Sequence, residues 1–294
     1  MLMSVYDHAI NKREEILKLI DKDTTEKIKR KVRDDWWNEF KEKNESKGDD
    51  RLLAGIDSSW NLKPYHGFYL YIVDAISIMS DETILGKKDD INIESLAVEE
   101  SGKIIYNPAI ALESKGMEFE HELIKGSKES NKCDIILVDG SLQARMYDYR
   151  RKAMIEFYTY DRSVFRRDDI IFISKRSDSR NILNGNAADI YYFDHATTKS
   201  GYSSPYYDKK KDITIVYARF TDYTPCLKVE FGMNIDKDLI EDRLLSIKEE
   251  CINGYPYVLY LAHERCKISN DDIRTIESIL GLEIEIGGRE VLEY

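Results

Sequence analysis

The chain of 294 residues can bury one sizeable core or two smaller ones, and 42% of its residues are hydrophobic, which is ordinary for a soluble globular protein. Its net charge of -11 at pH 7 excludes an openly basic surface that coats nucleic acid. No apolar stretch has the length of a membrane span, and the N-terminus lacks the apolar core of a signal peptide, so we expect a cytoplasmic location and no membrane contact. Charged residues make up 34% of the chain and Gln143 is its only glutamine, a bias that is typical of heat-adapted proteins.

An N-terminal helical arm is predicted for residues 1–50. From residue 4 to about residue 45, apolar residues recur at helical spacing with charged residues between them, and Asp21 to Thr25 could divide the helix in two. The arm either packs on its own domain or serves dimerisation or the binding of a partner, and the sequence leaves both interpretations open. The remaining residues, 51–294, form the predicted second domain.

The first half of this domain shows strand patterns from residue 52 to about 101, followed by a clear helix start at Asn107 and Pro108. The economical interpretation is three antiparallel strands, a helix to about Lys128, and a strand from Cys133 to Asp139 that lies parallel to the first. This order predicts an α/β fold of the ribonuclease H-like class, in which a mixed sheet is flanked by helices and the first and fourth strands are neighbours. Later strands are predicted at Ile170–Ser174, Ile213–Phe220 and Cys226–Phe231, and later helices at Asp236–Cys251, Tyr257–Lys267 and Asp271–Leu280.

Two aspartates end apolar runs of the predicted sheet. Asp57 follows Leu52–Ile56, and Asp139 follows Ile135–Val138. A short run of Ile, Val and Leu that is closed by Asp and small residues is typical of a buried strand that carries a carboxylate to the edge of a sheet. Two such carboxylates side by side repel each other unless a divalent cation or a shared proton neutralises them, so the pair predicts a metal site. Asp134 is a rival of Asp139, but it begins its strand rather than ending it.

Glu113 is the third candidate ligand. In the helix opened by Pro108, it lies on or beside an apolar stripe with three-four spacing that also includes Glu120. A glutamate at the border of such a stripe usually reaches solvent or a lysine, but beside two aspartates the interpretation as a ligand is preferred, and Glu120 is expected to be dispensable. Hard oxygen ligands select Mg2+ or Mn2+. Two such ions, about 4 Å apart, can activate a water and stabilise the leaving oxygen of a phosphodiester.

Tyr255 and His263 are ambiguous when each is taken alone. His263 lies in the mostly apolar helical stretch Tyr257–Glu264, where a lone histidine is more often a core residue than a ligand. Tyr255 is one of twenty tyrosines, and by default it is an ordinary packing residue.

The segment from Arg145 to Arg180 is basic, with ten Lys or Arg residues against six Asp or Glu residues. Lys175 and Arg176 directly follow a predicted strand, so we expect them, with Arg180, to hold DNA phosphates near the catalytic edge without reading sequence. A solvated loop is the alternative. Tyr202 belongs to a later tyrosine-rich loop that could stack on bases of single-stranded DNA, although such loops also pack in cores.

Five motifs, taken in order, resemble the NurA nucleases of archaea. They are Gly55-Ile56-Asp57-Ser58-Ser59, Ala111-Leu112-Glu113, Val138-Asp139-Gly140-Ser141, Ile173-Ser174-Lys175-Arg176-Ser177, and Gly254-Tyr255-Pro256 followed by Leu261-Ala262-His263. The resemblance extends from about residue 50 to the C-terminus. A single motif of this kind has little specificity, whereas five in the same order are fairly specific.

The resemblance implies an active site and a set of partners. Asp57, Glu113 and Asp139 would bind manganese, and Tyr255 and His263 would complete the site, with His263 as a further ligand. The family also implies a homodimer, a 5' to 3' exonuclease with single-strand endonuclease activity, and a HerA-type hexameric translocase as partner in DNA end resection.

Two other classes of protein compete with the nuclease. An early Asp followed by small hydroxyl residues also occurs in ribonuclease H-fold ATPases and sugar kinases, but the chain lacks a glycine-rich phosphate cradle. A non-catalytic adaptor that only docks on a translocase would not need Asp57, Glu113 and Asp139, and all three are present.

Overall fold

The computed structural model of the protein describes residues 3–20, 23–37, 40, 51–95, 97–100, 103–145 and 162–282. Its strands, in chain order, are β1 (Trp36–Trp37), β2 (Leu53–Pro64), β3 (Tyr69–Met79), β4 (Ile84–Glu94), β5 (Ala97–Glu100), β6 (Lys103–Tyr106), β7 (Ile135–Asp139), β8 (Ile170–Ser174), β9 (Gly201–Ser203), β10 (Tyr206–Asp208), β11 (Ile213–Arg219), β12 (Leu227–Phe231), β13 (Cys251–Ile252) and β14 (Tyr255–Pro256). Its α-helices are α1 (Met3–Ile20), α2 (Asp23–Asp34), α3 (Pro108–Glu129), α4 (Leu142–Arg145), α5 (Asp189–Ala196), α6 (Lys237–Glu249), α7 (Tyr257–Cys266) and α8 (Asn270–Leu280), with a 3-10 turn at Arg162–Phe165. Within these ranges, no helix is both long enough and apolar enough to cross a lipid bilayer.

One mixed sheet of ten strands organises the domain, in the order β1-β9-β11-β12-β8-β7-β2-β3-β4, with β10 attached to β11. β2, β3 and β4 pair antiparallel, and β7 pairs parallel with both β2 and β8. The prediction of three antiparallel strands, then a helix, then a strand parallel to the first is therefore confirmed, and with it the ribonuclease H-like class. Beyond β8 the sheet continues through antiparallel pairs of β12 with β8 and β11 with β12.

The central strands are buried on both faces because helices cover each side of the sheet. Side chains of β2 alternate between the faces, so that Ala54 and Ile56 pack in one core with Leu123 of α3, whereas Leu53 packs in a second core with Leu259 of α7. The sequence of a strand that is covered on both faces is a continuous run of apolar residues, and it does not alternate between apolar and polar residues. This is the pattern at the start of β2 and throughout the apolar part of β7.

Two glycines let α3 and α7 approach β2 from opposite faces. A Cβ atom at Gly55 would lie 2.2 Å from the carbonyl oxygen of Val258, at the start of α7. A Cβ atom at Gly116 of α3 would lie 2.7 Å from Oγ of Ser58. A larger residue at Gly55 would push α7 away from the strand because it meets backbone atoms, whereas one at Gly116 would require the hydroxyl of Ser58 to move. These glycines therefore allow both helices to lie close to β2 near Asp57.

Helix α3 begins where the sequence predicted it. The side chain of Asn107 accepts a hydrogen bond from the backbone N–H of Ile110 at 3.3 Å, and Pro108 is the first helical residue. The cap satisfies an N–H group that the helix itself leaves unpaired, and proline tolerates this position because its own N–H is missing.

The predicted N-terminal arm consists of two helices of different character. Every described side chain in residues 3–18 of α1 is exposed, including those of Tyr6 and Ile10. In α2, by contrast, Val32 is buried in the core that contains α3, and β1 extends the sheet by pairing with β9. The second half of the arm is thus packed on the large α/β domain.

Candidate metal centre and cleft

Two neighbouring strands place Asp57 and Asp139 side by side. The parallel pairing of β2 with β7 runs from Leu53 opposite Ile135 to Ile56 opposite Val138, and the aspartates are the next residue on each strand. Because adjacent strands lie about 4.8 Å apart and residues in register point to the same face, both carboxylates emerge together. The expectation that Asp57 ends its strand is wrong, since β2 continues to Pro64 in antiparallel pairing with β3. It is the parallel pairing with β7 that stops before Asp57.

Helix α7 brings His263 to the two aspartates. Its Nδ1 atom lies 2.9 Å from Oδ2 of Asp57, and one ligand atom from each of Asp57, Asp139 and His263 lies within 4.8 Å of the other two. The carboxylate of Asp57 is buried, whereas the imidazole of His263 is 45% exposed. The arrangement therefore has a buried side and an open side.

Like charges gather around Asp57. Burial, followed by the negative charges of Asp139 and Glu120, raises the pKa of Asp57 to about 7, while the hydrogen bond and charge of His263 oppose this shift. The backbone N–H of Ser58 donates to Oδ1 of Asp57 at 2.8 Å. Two carboxylates and one imidazole form a donor set suited to Mn2+, and a cation among them would offset the repulsion that raises the pKa. The residues present therefore fit a divalent metal ion.

Lys175 and Tyr255 flank the aspartate pair. Nζ of Lys175 lies 3.7 Å from Oδ2 of Asp139 and 4.1 Å from the centre of the Tyr255 ring. Burial and the negative charges of Asp139 and Asp57 raise the pKa of the Tyr255 hydroxyl well above its usual range. The phenol consequently keeps its proton at neutral pH, and it faces the acidic cluster as a potential hydrogen-bond donor.

Neither Glu113 nor Glu120 of α3 belongs to the three-residue group, but the negative charge of Glu120 acts on Asp57. Oε1 of Glu120 accepts a 2.5 Å hydrogen bond from the hydroxyl of Ser58, and Oε2 accepts one from Arg145. Glu113 precedes Glu120 by two helical turns, about 10 Å along the axis. It therefore lies on the same face of α3 but two turns nearer the N-terminus of the helix. The expectation that Glu113 is a ligand stays a prediction, whereas the contacts of α3 favour Glu120 as the carboxylate beside Asp57.

Two further sequence candidates lie away from the cluster. Tyr202 is 1% exposed; its ring packs against Trp37 and Phe40, and its hydroxyl donates to Glu241 at 2.5 Å. The prediction that it stacks on bases is therefore wrong, because the ring belongs to the core. Asp134 accepts a hydrogen bond from the N–H of Leu52 at 2.9 Å, at the opposite end of β7 from Asp139.

An open cleft of 1140 Å³ extends from Asp139 along the loop that follows β8. The loop residues that line it include Lys175, Arg176 and Arg180, all with exposed side chains. Gln143 of α4 also lines the cleft. The centre of the predicted basic segment, residues 146–161, lies outside the described residues.

A comparison with family models matches residues 51–268 to the NurA domain. This chain belongs to the NurA nuclease family. The match includes every residue of the cluster and the cleft, and it leaves α1, α2 and β1 outside. The resemblance predicted from the five motifs is thereby confirmed.

Curated NurA relatives align over different shares of their length. The chain is 27% identical to the "Probable DNA double-strand break repair nuclease NurA" of Methanocaldococcus jannaschii over 57% of this chain, and the alignment spans half, 50%, of that protein. It is 22% identical to the "DNA double-strand break repair nuclease NurA" of Sulfurisphaera tokodaii, over 96% of each chain.

Solved NurA structures share the fold of the whole chain. The crystal structure of the NurA nuclease from Sulfolobus solfataricus superposes with a TM-score of 0.76 and 18% identity, covering 97% of this chain and 98% of that one. A crystal structure of NurA bound to dAMP and manganese superposes with a TM-score of 0.64 and 13% identity, covering 97% and 98% of the two chains.

Proposed function

We propose that this protein is a metal-dependent deoxyribonuclease that acts in the repair of DNA double-strand breaks. The observation that carries the proposal is the convergence of Asp57, Asp139 and His263 within 4.8 Å of one another, with Asp139 also lining the cleft. Names of NurA relatives as double-strand break repair nucleases support this reading. The finer proposal is a 5' to 3' exonuclease with endonuclease activity on single strands.

Asp57, Asp139 and His263 would hold the metal, and Glu120 is proposed in place of Glu113 as the carboxylate of α3 that supports the site, through Ser58 and Arg145. We propose Mn2+ or Mg2+, in two ions, and the manganese in a solved NurA structure supports the choice of metal. When bound, such ions stabilise the charge that develops on a phosphodiester and activate a water molecule.

Protein groups around the cluster orient the reactants. The hydrogen bond to Asp57 fixes the ring of His263, and Lys175 places a positive charge beside Asp139, where it can attract a phosphate. Tyr255, whose pKa is raised by burial and the aspartates, can donate a hydrogen bond to a phosphate oxygen but is a poor base at neutral pH.

Single-stranded DNA would follow the cleft past Lys175, Arg176 and Arg180. These side chains are exposed and lie on one loop, so they can contact successive phosphates without reading bases. Arg176→Ala and Arg180→Ala should each weaken all sequences alike, and each should reduce the slope of log affinity against log salt by about 0.7. A loss confined to one sequence would contradict the phosphate contact.

The proposed assembly is a homodimer that works with a HerA-type hexameric ATPase. The exposed side chains of α1 support the view that the first helix is available to a partner. Light scattering of the purified protein tests the dimer. Deletion of residues 1–20 should leave the α/β domain folded and abolish pull-down of the ATPase; retained binding would assign α1 another role.

Incubation of the protein with end-labelled single-stranded DNA in EDTA, Mg2+ or Mn2+ tests the proposed activity. Cleavage that requires a divalent ion and releases products from the 5' end is the expected result. Binding and hydrolysis of ATP without DNA cleavage would favour the ribonuclease H-fold ATPase or kinase. Absence of both activities, with intact binding to the translocase, would favour the non-catalytic adaptor.

A further inference from the structure

A chain of hydrogen bonds connects the two aspartates behind the proposed metal centre. The guanidinium of Arg145 donates to the backbone carbonyl of Asp139 at 3.2 Å and to the carboxylate of Glu120. Glu120 in turn accepts the hydroxyl hydrogen of Ser58 at 2.5 Å. The N–H of Ser58 completes the chain by donating to Asp57 at 2.8 Å.

Arg145 is unsuited to contact DNA despite its place at the start of the basic segment. Its side chain is 6% exposed and its partner Glu120 is 5% exposed. The guanidinium also lies over the ring of Phe172, 5.3 Å from its centre. A phosphate could reach this group only if the packing around it opened, so its charge acts inside the protein.

We propose that Arg145 is a positioning residue, which ties Glu120 to the end of β7 and so fixes the relative placement of Asp57 and Asp139. The inference rests on the proposed nuclease function. Both bonds come from one guanidinium nitrogen, Nη2, which carries two N–H groups. A guanidinium suits a buried link of this kind because it is more weakly hydrated than the ammonium of a lysine. Arg145 also places a positive charge against the carboxylate of Glu120, so it offsets the negative charge that Glu120 brings towards Asp57.

Steady-state cleavage of single-stranded DNA separates positioning from DNA binding. Arg145→Met should lower kcat about 10- to 100-fold, the usual effect of removing a group that orients metal ligands, while KM for DNA and its salt dependence stay unchanged. Arg145→Lys should recover part of kcat because it keeps the positive charge and N–H donors but lacks the planar guanidinium. Ser58→Ala, which cuts the chain at its other end, should lower kcat in the same way.

Arg243→Met is the matched control, because Arg243 is also mostly buried and ion-paired, with Asp168 and Asp242, but lies outside the chain of hydrogen bonds. It should lower the unfolding midpoint without lowering kcat. Equal losses of kcat in Arg145→Met and Arg243→Met would overturn the proposal. So would a rise in KM with unchanged kcat in Arg145→Met, since that result describes a phosphate contact.

Unfolding of the variants gives a readout that does not depend on activity. If the chain is continuous, Arg145→Met and Ser58→Ala remove the same interaction through Glu120, and the double variant should unfold at nearly the midpoint of the less stable single variant. Additive shifts would overturn the connection. A wild-type protein that cleaves no DNA in any metal would instead refute the proposed function, which the unfolding data do not test.

Discussion

Two clusters of charged side chains differ in how their charge is balanced. Beneath α4, Lys228 and Glu230 are fully buried and form an ion pair at 2.8 Å, and the amide oxygen of Gln143 accepts a second bond from Lys228 at 2.8 Å. At the aspartate pair, like charges instead face one another and raise the pKa of Asp57. A charge that is paired inside the protein, as in Lys228 and Glu230, indicates a structural role. At the aspartate pair the negative charges outnumber the nearby Lys175, which indicates a place for a cation.

The largest expected effect comes from removing a charge of the aspartate pair. Asp57→Asn and Asp139→Asn keep the shape of the side chain but not the charge that a hard cation requires, so each should lower kcat by more than about 100-fold, beyond the usual effect of the surrounding residues. Neither should destabilise the metal-free protein, because repulsion is relieved. Near wild-type turnover at saturating Mn2+ would refute the two-aspartate site.

The compensated cluster should show the opposite response. Lys228→Met leaves Glu230 buried without its cation, which should destabilise the fold by about 3–5 kcal/mol in denaturant unfolding. The folded protein should retain its affinity for Mn2+. If Lys228→Met had normal stability but did not bind Mn2+, the claim that this cluster is structural and the aspartate cluster binds metal would be contradicted.

The pH dependence of stability distinguishes the aspartate cluster from the cluster of Lys228 and Glu230, because Asp57 titrates in the first. Its pKa is raised in the folded protein from 3.8 to about 7, so the protonated form is favoured by folding, and the metal-free protein should lose stability as the pH rises through this window. The loss should be of the order of 1–4 kcal/mol, since one pKa unit corresponds to about 1.4 kcal/mol.

Thermal unfolding in EDTA between about pH 4 and about pH 8, which spans the interval between the unfolded and folded pKa of Asp57, measures this loss against Asp57→Asn. Asp57→Asn should not show this loss of stability, so its unfolding temperature should exceed that of the wild-type protein by an amount that grows with pH. A difference in unfolding temperature that does not change with pH would show that ionisation of Asp57 does not destabilise the folded protein.

The smallest predicted effect distinguishes the two glutamates of α3. Glu120→Gln should lower kcat about 10- to 100-fold, because Glu120 contacts Ser58 and Arg145. Glu113→Gln serves as the control on the same helical face, and it should have the weaker effect. The reverse order would restore Glu113 as the important carboxylate of α3.

Local patterns predicted the parts of the site that depend on one strand. The runs before Asp57 and Asp139 are apolar because helices cover both faces, and a run of this kind identifies its terminal carboxylate. The choice between Glu113 and Glu120 needed tertiary information, because residues seven apart share a helical face. The hydrogen bond between Ser58 and Glu120 shows which turn of α3 lies beside Asp57.

The burial of residues whose partners lie far away in the sequence could not be predicted from local sequence patterns either. Tyr202 is buried by Trp37 and Phe40, which come from the far N-terminal segment, so its own loop-like surroundings suggested exposure. Arg145 belongs to a basic run by composition, but its burial follows from its pairing with Glu120. The two glutamates on the apolar stripe of α3 were a signal for the burial of an arginine, since a buried carboxylate requires a cationic or hydrogen-bonding partner.

Isothermal titration calorimetry of Mn2+ into the metal-free protein tests the central claim most directly, because it measures binding at the aspartate cluster without DNA or turnover. The wild-type protein and Lys228→Met should bind Mn2+ with similar affinity, whereas Asp139→Asn should lose this binding. Equal binding by the wild-type protein and Asp139→Asn, or no binding by the wild-type protein, would contradict the assignment of the cluster as a metal centre.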